Sequence, residues 1–324
     1  MQITIIGMGL IGTSLGMALR SVEERNSPLG ALTVIGYDTD RRRTAEARGR
    51  LAIDREATSL DDAVAGSELV VVAVPVQEVR AVFTQIAPKL APGAVVTDVA
   101  SAKAQVAYWA NEIFAARVPF VGGHPMAGRE KSGPAAADGA LFLDAIYCLC
   151  PAPSATAQAI DLVERMVHQI DAKVYFIDPL EHDVYVAGVS HLPFLLAAGL
   201  AAVTSDSPGW REMTPLAASG YRDMTRLASG DAQMHRDIVI TNREPMLRWI
   251  DAMRDFLDTT RAQIDAGDAA AVLEMFTRAQ VAREEWLVAR PNMRPGENDY
   301  NAVADVERPN LLLGRFGRGD RKRR

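Results

Sequence analysis

Gly7-Met8-Gly9-Leu10-Ile11-Gly12 follows a β-rich apolar run at residues 2–6 and opens a helical pattern carried by Leu15, Leu19 and Val22. A second apolar run, Leu32 to Tyr37, ends on Asp38, 26 residues beyond Gly12. A lone G-x-G-x-x-G is a weak signal. A strand before it, a helix after it, a second strand and an acidic residue at that strand's end make it a strong one. The slightly long spacing is explained by the insertion-like Asn26-Ser27-Pro28-Leu29-Gly30. Gly7 makes the tight turn, Gly9 lets backbone approach a pyrophosphate, and Gly12 lets the helix pack on the strand. With Met8, Leu10 and Ile11 they form a candidate cofactor loop, its phosphates facing the partial positive charge of a helix N-terminus. Asp38 would accept from a ribose 2′-hydroxyl and repel a 2′-phosphate, which favours NAD over NADP. Arg41, Arg42 and Arg43 could neutralise a phosphate, but as a helix start they read as solvent-facing.

Outward from this loop the alternation continues. Helices are expected at Arg41–Arg50, Leu60–Ala65, Gln77–Ile86, Ala104–Ala115 and Ala155–Ile170. Strands are expected at Leu51–Ile53, Glu68–Val74 (ended by Pro75), Ala94–Val99, Val118–Val121, Ala145–Leu149 and Lys173–Ile177. The series predicts an α/β fold, an amino-terminal Rossmann-type doubly wound parallel sheet over residues 1–177. From Asp178-Pro179 the strand pattern stops. Leu180–Val203 is helical with Pro193 inside it, which predicts a kink near Ser190-His191. Residues 210–229, 231–266 and 268–289 are helical too, so an all-α domain is expected over 178–290. It carries more apolar surface than a small bundle hides, and a homodimer through this domain is the expectation. Residues 291–324, with a basic end running from Arg315 to Arg324, read as a flexible tail.

Net charge is −6, which disfavours a nucleic-acid partner. The longest apolar run, Leu192–Val203, is short for a bilayer span, and Met1-Gln2-Ile3-Thr4 lacks the charged start of a signal peptide. A cytoplasmic protein with no membrane partner and no metal is expected. Cys148 and Cys150, at i and i+2 of an apolar run, are poorly placed to bond each other and read as small core residues.

In doubly wound sheets ligands bind outside the carboxyl ends of the strands. Val74-Pro75, Asp98 to Ser101 and Gly122 to Gly128 are all expected there, beside the glycine loop. In Gly122-Gly123-His124-Pro125-Met126-Ala127-Gly128, glycines flank a histidine that Pro125 holds extended. An imidazole titrating near neutrality is suited to general acid/base work. A structural turn with a surface histidine is the competing reading. Ser101 reads either as the N-cap of the following helix or as a hydroxyl presented to the nicotinamide.

Several stretches taken in order resemble the TyrA family of prephenate and arogenate dehydrogenases. They are GMGLIG, Asp98-Val99-Ala100-Ser101-Ala102-Lys103, GGHPMAGREKSG at 122–133, Glu181-His182-Asp183, Val189-Ser190-His191-Leu192-Pro193, and Ser219 to Arg226. The resemblance covers about residues 7–290. It implies oxidative decarboxylation of prephenate to 4-hydroxyphenylpyruvate, or of arogenate to tyrosine, in tyrosine biosynthesis, with hydride passing to NAD. It makes His124 the acceptor of the C4 hydroxyl proton and Ser101 the group orienting it. Arg226 becomes the candidate for a substrate carboxylate, with His191, Ser190, Gly220 and Asp223 beside it. From the residues alone, Arg226 reads as a helix-surface arginine paired with Asp223 or Asp231. His182 and Asp183 are expected to start the long helix and pack at the cleft, and His168 to lie on the surface.

The chain departs from the family pattern at two places. Phe194 stands where many prephenate-using members carry a second histidine, and His235 stands where an aromatic is common. The departure admits arogenate, or an amino-substituted prephenate analogue. Two other classes stay in view. A β-hydroxyacid dehydrogenase would need a lysine on the second domain, and residues 178–242 contain none. A non-catalytic NAD-binding sensor would have no use for Ser101, His124 and Arg226 together.

Overall fold

The apolar runs of the first half become strands β1 (Gln2–Ile6), β2 (Thr33–Tyr37), β3 (Arg55–Glu56), β4 (Leu69–Val72), β5 (Val95–Asp98), β6 (Phe120–Pro125), β7 (Ile146–Pro151) and β8 (Lys173–Phe176). In the computed structural model, which describes residues 1–115, 117–129 and 131–289, they form one sheet ordered β3-β2-β1-β4-β5-β6-β7-β8. The first six in that order run parallel; β7 is antiparallel to β6, and β8 follows β7 in parallel.

The helices between them are α1 (Leu10–Ser21), α2 (Arg41–Gly49), α3 (Leu60–Val64), α4 (Val76–Ile86), α5 (Ala104–Phe114) and α6 (Ala157–Gln169). They lie on both faces, giving two apolar layers. One gathers Ile3, Ile5, Leu15, Leu19, Val163 and Val167. The other gathers Val70, Val72, Val79, Phe83, Phe114 and Phe120, the three phenyl rings meeting at centroid distances of 4.7 to 6.4 Å. β4 is buried at every residue, as a central parallel strand covered on both faces must be.

Beyond the sheet come α7 (Pro179–Val186), α8 (Leu192–Ser205), α9 (Trp210–Met213), α10 (Ser219–Thr225), α11 (Ala232–Thr241), α12 (Arg243–Asp265) and α13 (Ala269–Ala289). Asp178 caps α7 by accepting from the N–H groups of Leu180 and Glu181. Between α7 and α8 the helix widens into a π turn at Ala187–His191, where Pro193 led a kink to be expected. Residues 210–229 are not one helix but short helical pieces, α9 and α10 with 3-10 turns at Thr214–Leu216 and Arg226–Ser229. Pro215, with no N–H to give, and Gly230 suit such breaks.

The chain divides into two compact units, residues 1–259 and residues from 260 onward. The first holds the sheet and the helices through most of α12. Among the described residues the second is an α-hairpin, with Gly267 (φ +65°) at its turn and Thr260 Oγ1 3.4 Å from Met275 Sδ. The stretch expected to be a tail, 291–324, lies outside the described residues.

Candidate active site

The glycine loop has the shape its sequence requires. Gly7 has φ +101°, and a Cβ built on Gly12 would lie 1.9 Å from the Gly7 carbonyl oxygen. Gly9 faces open space, with nothing within 4 Å of such an atom. That is the surface a pyrophosphate would approach, at the N-terminus of α1. Asp38, at the end of β2, accepts from the Met8 N–H at 2.8 Å and the Asp40 N–H at 2.9 Å. Its carboxylate is thereby tied to the glycine loop. Arg42 is turned onto Asp40, and Arg41 and Arg43 are exposed. Val74 borders Gly7, and Pro75 precedes the first turn of α4. The residues fit a bound NAD.

At the next strand ends, Asp98 and Lys103 form a fully buried ion pair. Lys103 Nζ also donates to the Gly123 carbonyl at 2.6 Å, and Asp98 Oδ1 accepts from the Gly123 N–H at 3.1 Å. Both sides of the Gly123 peptide are gripped, which fixes the backbone leading into His124. A Cβ at Gly123 would lie 2.5 Å from the Asp98 carbonyl oxygen, so only glycine allows this approach. His124 itself lies inside β6, paired opposite Cys148, not in the turn its glycine and proline neighbours suggest. The antiparallel partner β7 extends the strand past Val121.

His124 is 6 % exposed and is held by a partner from the helical half. Its Nδ1 lies 2.8 Å from His182 Nε2, and His182 Nδ1 lies 2.8 Å from Asp183 Oδ1. Asp183 also accepts from the N–H groups of Lys103 at 2.7 Å and Ala104 at 2.9 Å. The N-terminus of α5 is therefore capped by Asp183, and Ser101 is not its N-cap. These contacts assign the protons. A carboxylate that accepts from two amides also accepts from His182, so His182 carries its proton on Nδ1. With its proton on Nδ1, His182 offers Nε2 as an acceptor, and His124 donates from Nδ1. The lone pair of His124 is left on Nε2, which has no hydrogen-bond partner among the described residues. Burial, with the nearby His182, Lys103 and His191, holds His124 well below the usual imidazole range, so it is neutral at physiological pH.

The π turn brings a third imidazole. His191 is fully buried, and its Nδ1 lies 3.2 Å from Asn242 Nδ2, which donates to the Asp183 carbonyl at 2.8 Å. Burial pulls His191 down to about 4, against Asp183 and the Ser101 backbone, which favour its charged form. Trp249 of α12 braces the turn. It donates from Nε1 to the Val184 carbonyl at 3.2 Å, and its ring lies where a side chain on Gly188 would go.

Of the residues singled out from the sequence, Ser101, His124 and His191 fall in or beside this cluster. Ser190 is half-buried in the same π turn. Gly220, Asp223 and Arg226 are exposed on α10 and the turn after it, which packs against α8. Asp223 accepts from Arg222 at 3.3 Å, and Asp231 caps α11. His168 is exposed, as expected. The sequence placed His182 and Asp183 at the cleft but not in the line behind His124, and Lys103, Asn242 and Trp249 were missed. The adjacency of His182 and Asp183 after a capped helix start was the available signal.

Comparison with known proteins finds a family match over both halves of the chain. Residues 27–176 match the family model for the nucleotide-binding domain of prephenate dehydrogenase, and residues 178–278 that for its dimerization domain. The chain is 32 % identical to prephenate dehydrogenase of Bacillus subtilis over 284 residues, 87 % of this chain and 75 % of that protein. Prephenate dehydrogenase from A. aeolicus, solved with hydroxyphenyl propionate and NAD+, superposes with a TM-score of 0.80 at 27 % identity, over 88 % of this chain and 97 % of that one. Synechocystis arogenate dehydrogenase gives 0.74 at 26 % identity, over 88 % and 100 %.

Proposed function

The chain belongs to the prephenate dehydrogenase family, and from that premise we propose that it oxidatively decarboxylates prephenate to 4-hydroxyphenylpyruvate, with NAD+ as hydride acceptor. The observation that carries this reading is the line Asp183–His182–His124, which leaves a neutral imidazole with its lone pair on Nε2. His124 takes the role of general base toward the C4 hydroxyl of the cyclohexadienol. The hydroxyl proton moves toward Nε2 as C4 gives up its hydride. The bond from C1 to the ring carboxylate breaks, CO2 leaves, and its electrons complete the aromatic ring. The proton then returns to the phenol oxygen. The nicotinamide, when bound, supplies the acceptor for the hydride. Ser101 orients the hydroxyl, and Arg226 grips a carboxylate of the dianionic substrate, a guanidinium being suited to bidentate contact. Ser190, His191, Gly220 and Asp223 complete the substrate side.

Residues 1–177 serve as the dinucleotide-binding domain and 178–290 as the substrate and dimerisation domain of a cytoplasmic homodimer. The exposed apolar side chains of Leu180, Val189, Leu196 and Val203 support this. The helical stretch Pro179–Ser205 is long and apolar enough to cross a membrane by length and composition. Its buried His182, Asp183 and His191 support a soluble packing role instead.

Arogenate is the second reading, favoured by Phe194 and by the likeness to the Synechocystis enzyme. The test is a four-way assay of purified protein, prephenate or arogenate with NAD+ or NADP+, following reduced cofactor. Prephenate with NAD+ should turn over fastest. Arogenate turning over faster would favour the second reading, and turnover with neither would refute the family activity for this chain. A preference for NADP+ would refute the role given to Asp38.

A further inference from the structure

Phe194 and His235, the two departures from the family pattern, meet in space. Their rings stack at a centroid distance of 4.2 Å and an interplanar angle of 4°. The Phe194 ring also lies 5.9 Å from that of His191. A row of rings therefore runs from the buried cluster behind His124 out to α11. His235 fits at the end of this row because residue 230 is glycine: a Cβ there would lie 2.6 Å from His235 Cε1 and 2.7 Å from Nε2. The imidazole is thus seated between α8, which carries Phe194, and the end of the turn that carries Arg226. It is half-buried, and neither ring nitrogen has a hydrogen-bond partner among the described residues. Phe194, by contrast, has no polar atom to offer.

We propose that His235 reads the C2 substituent of the substrate's three-carbon side chain, donating a hydrogen bond to a 2-oxo group. The inference rests on the reading given under Proposed function and adds the residue that recognises the end of the substrate remote from C4. Burial lowers its pKa, so the ring is neutral at physiological pH and has a single N–H to give. The stack on Phe194 fixes the plane in which it points.

The test measures binding to the full-length protein with NAD+ bound. The probes are 4-hydroxyphenylpyruvate and hydroxyphenyl propionate, which differ at C2. His235→Phe keeps a ring on Phe194 but removes the donor. Losing one neutral hydrogen bond should cut the preference for the oxo acid about three- to tenfold, while propionate affinity stays near that of the parent. His235→Leu, smaller against Gly230, carries the same expectation should His235→Phe fail to fold. His235→Gln should keep most of the preference. Unchanged affinities, or an equal loss for both probes, would overturn the proposal, the latter marking the stack as packing only. Parent protein that turns over neither prephenate nor arogenate would instead sink the reading beneath it.

Discussion

A buried imidazole serves as a base only if it is neutral and its lone pair faces the substrate. His124 meets the first condition through burial and the nearby His182 and Lys103, and the second through the hydrogen bond its Nδ1–H donates to His182. His124→Asn should therefore lower kcat by about 10²- to 10⁴-fold with NAD affinity retained, measured by steady-state kinetics and cofactor titration. His182→Leu removes the acceptor that sets the tautomer. It should lower kcat by about tenfold or more while KM moves little, because the base loses orientation and not its contact with substrate. His191 makes a different prediction. Its folded pKa of about 4 lies below the ordinary 6.5, so between these values the unfolded chain binds more protons and stability falls as pH falls. The loss from pH 6.5 to 4 is at most about 3 kcal/mol, with His124 adding in the same direction. Urea unfolding from pH 7 to 4.5 should show this slope, and His191→Gln should flatten it.

At the scale of elements, what was legible in the sequence was local. The glycine loop, β1, β2 and β4 follow from short-range pattern, and Asp38 from its place at a strand end. β6 runs past its expected end because β7 pairs with it across a long connection, and no local pattern encodes that pairing. The capping of α5 is non-local for the same reason: Asp183 comes from a helix nearly eighty residues on. β3 falls at Arg55–Glu56, beyond the expected Leu51–Ile53, since Leu51 adopts φ +61° and cannot sit in a strand. The π turn was visible only as a proline in a helix. Its brace, Trp249 against Gly188, came from a helix whose apolar pattern gave no reason to single out one tryptophan. Gly188→Ala should clash with that ring and cost about 1–3 kcal/mol, seen as a lower thermal midpoint with a reduced kcat/KM as His191 shifts.

At the scale of the whole molecule, the strand that carries the base and the helices α7 and α11 depend on one another. Lys103 and Asp98 hold the strand that carries His124, while Asp183 joins α5 to α7 and Asn242 joins α11 to both Asp183 and His191. Helices with apolar outer sides call for a partner, and light scattering on a sizing column should give about twice the 35.1 kDa chain mass. The central claim is that neutral His124 receives the C4 hydroxyl proton, and the pH dependence of kcat for parent and His124→Asn tests it most directly. In the parent, kcat on prephenate with NAD+ should stay flat through pH 6.5 and fall only at lower pH, as His124 gains a proton. In His124→Asn the rate should drop by at least about 10²-fold and that acid limb should vanish. A variant that keeps near-parent turnover and the same acid limb would contradict the assignment.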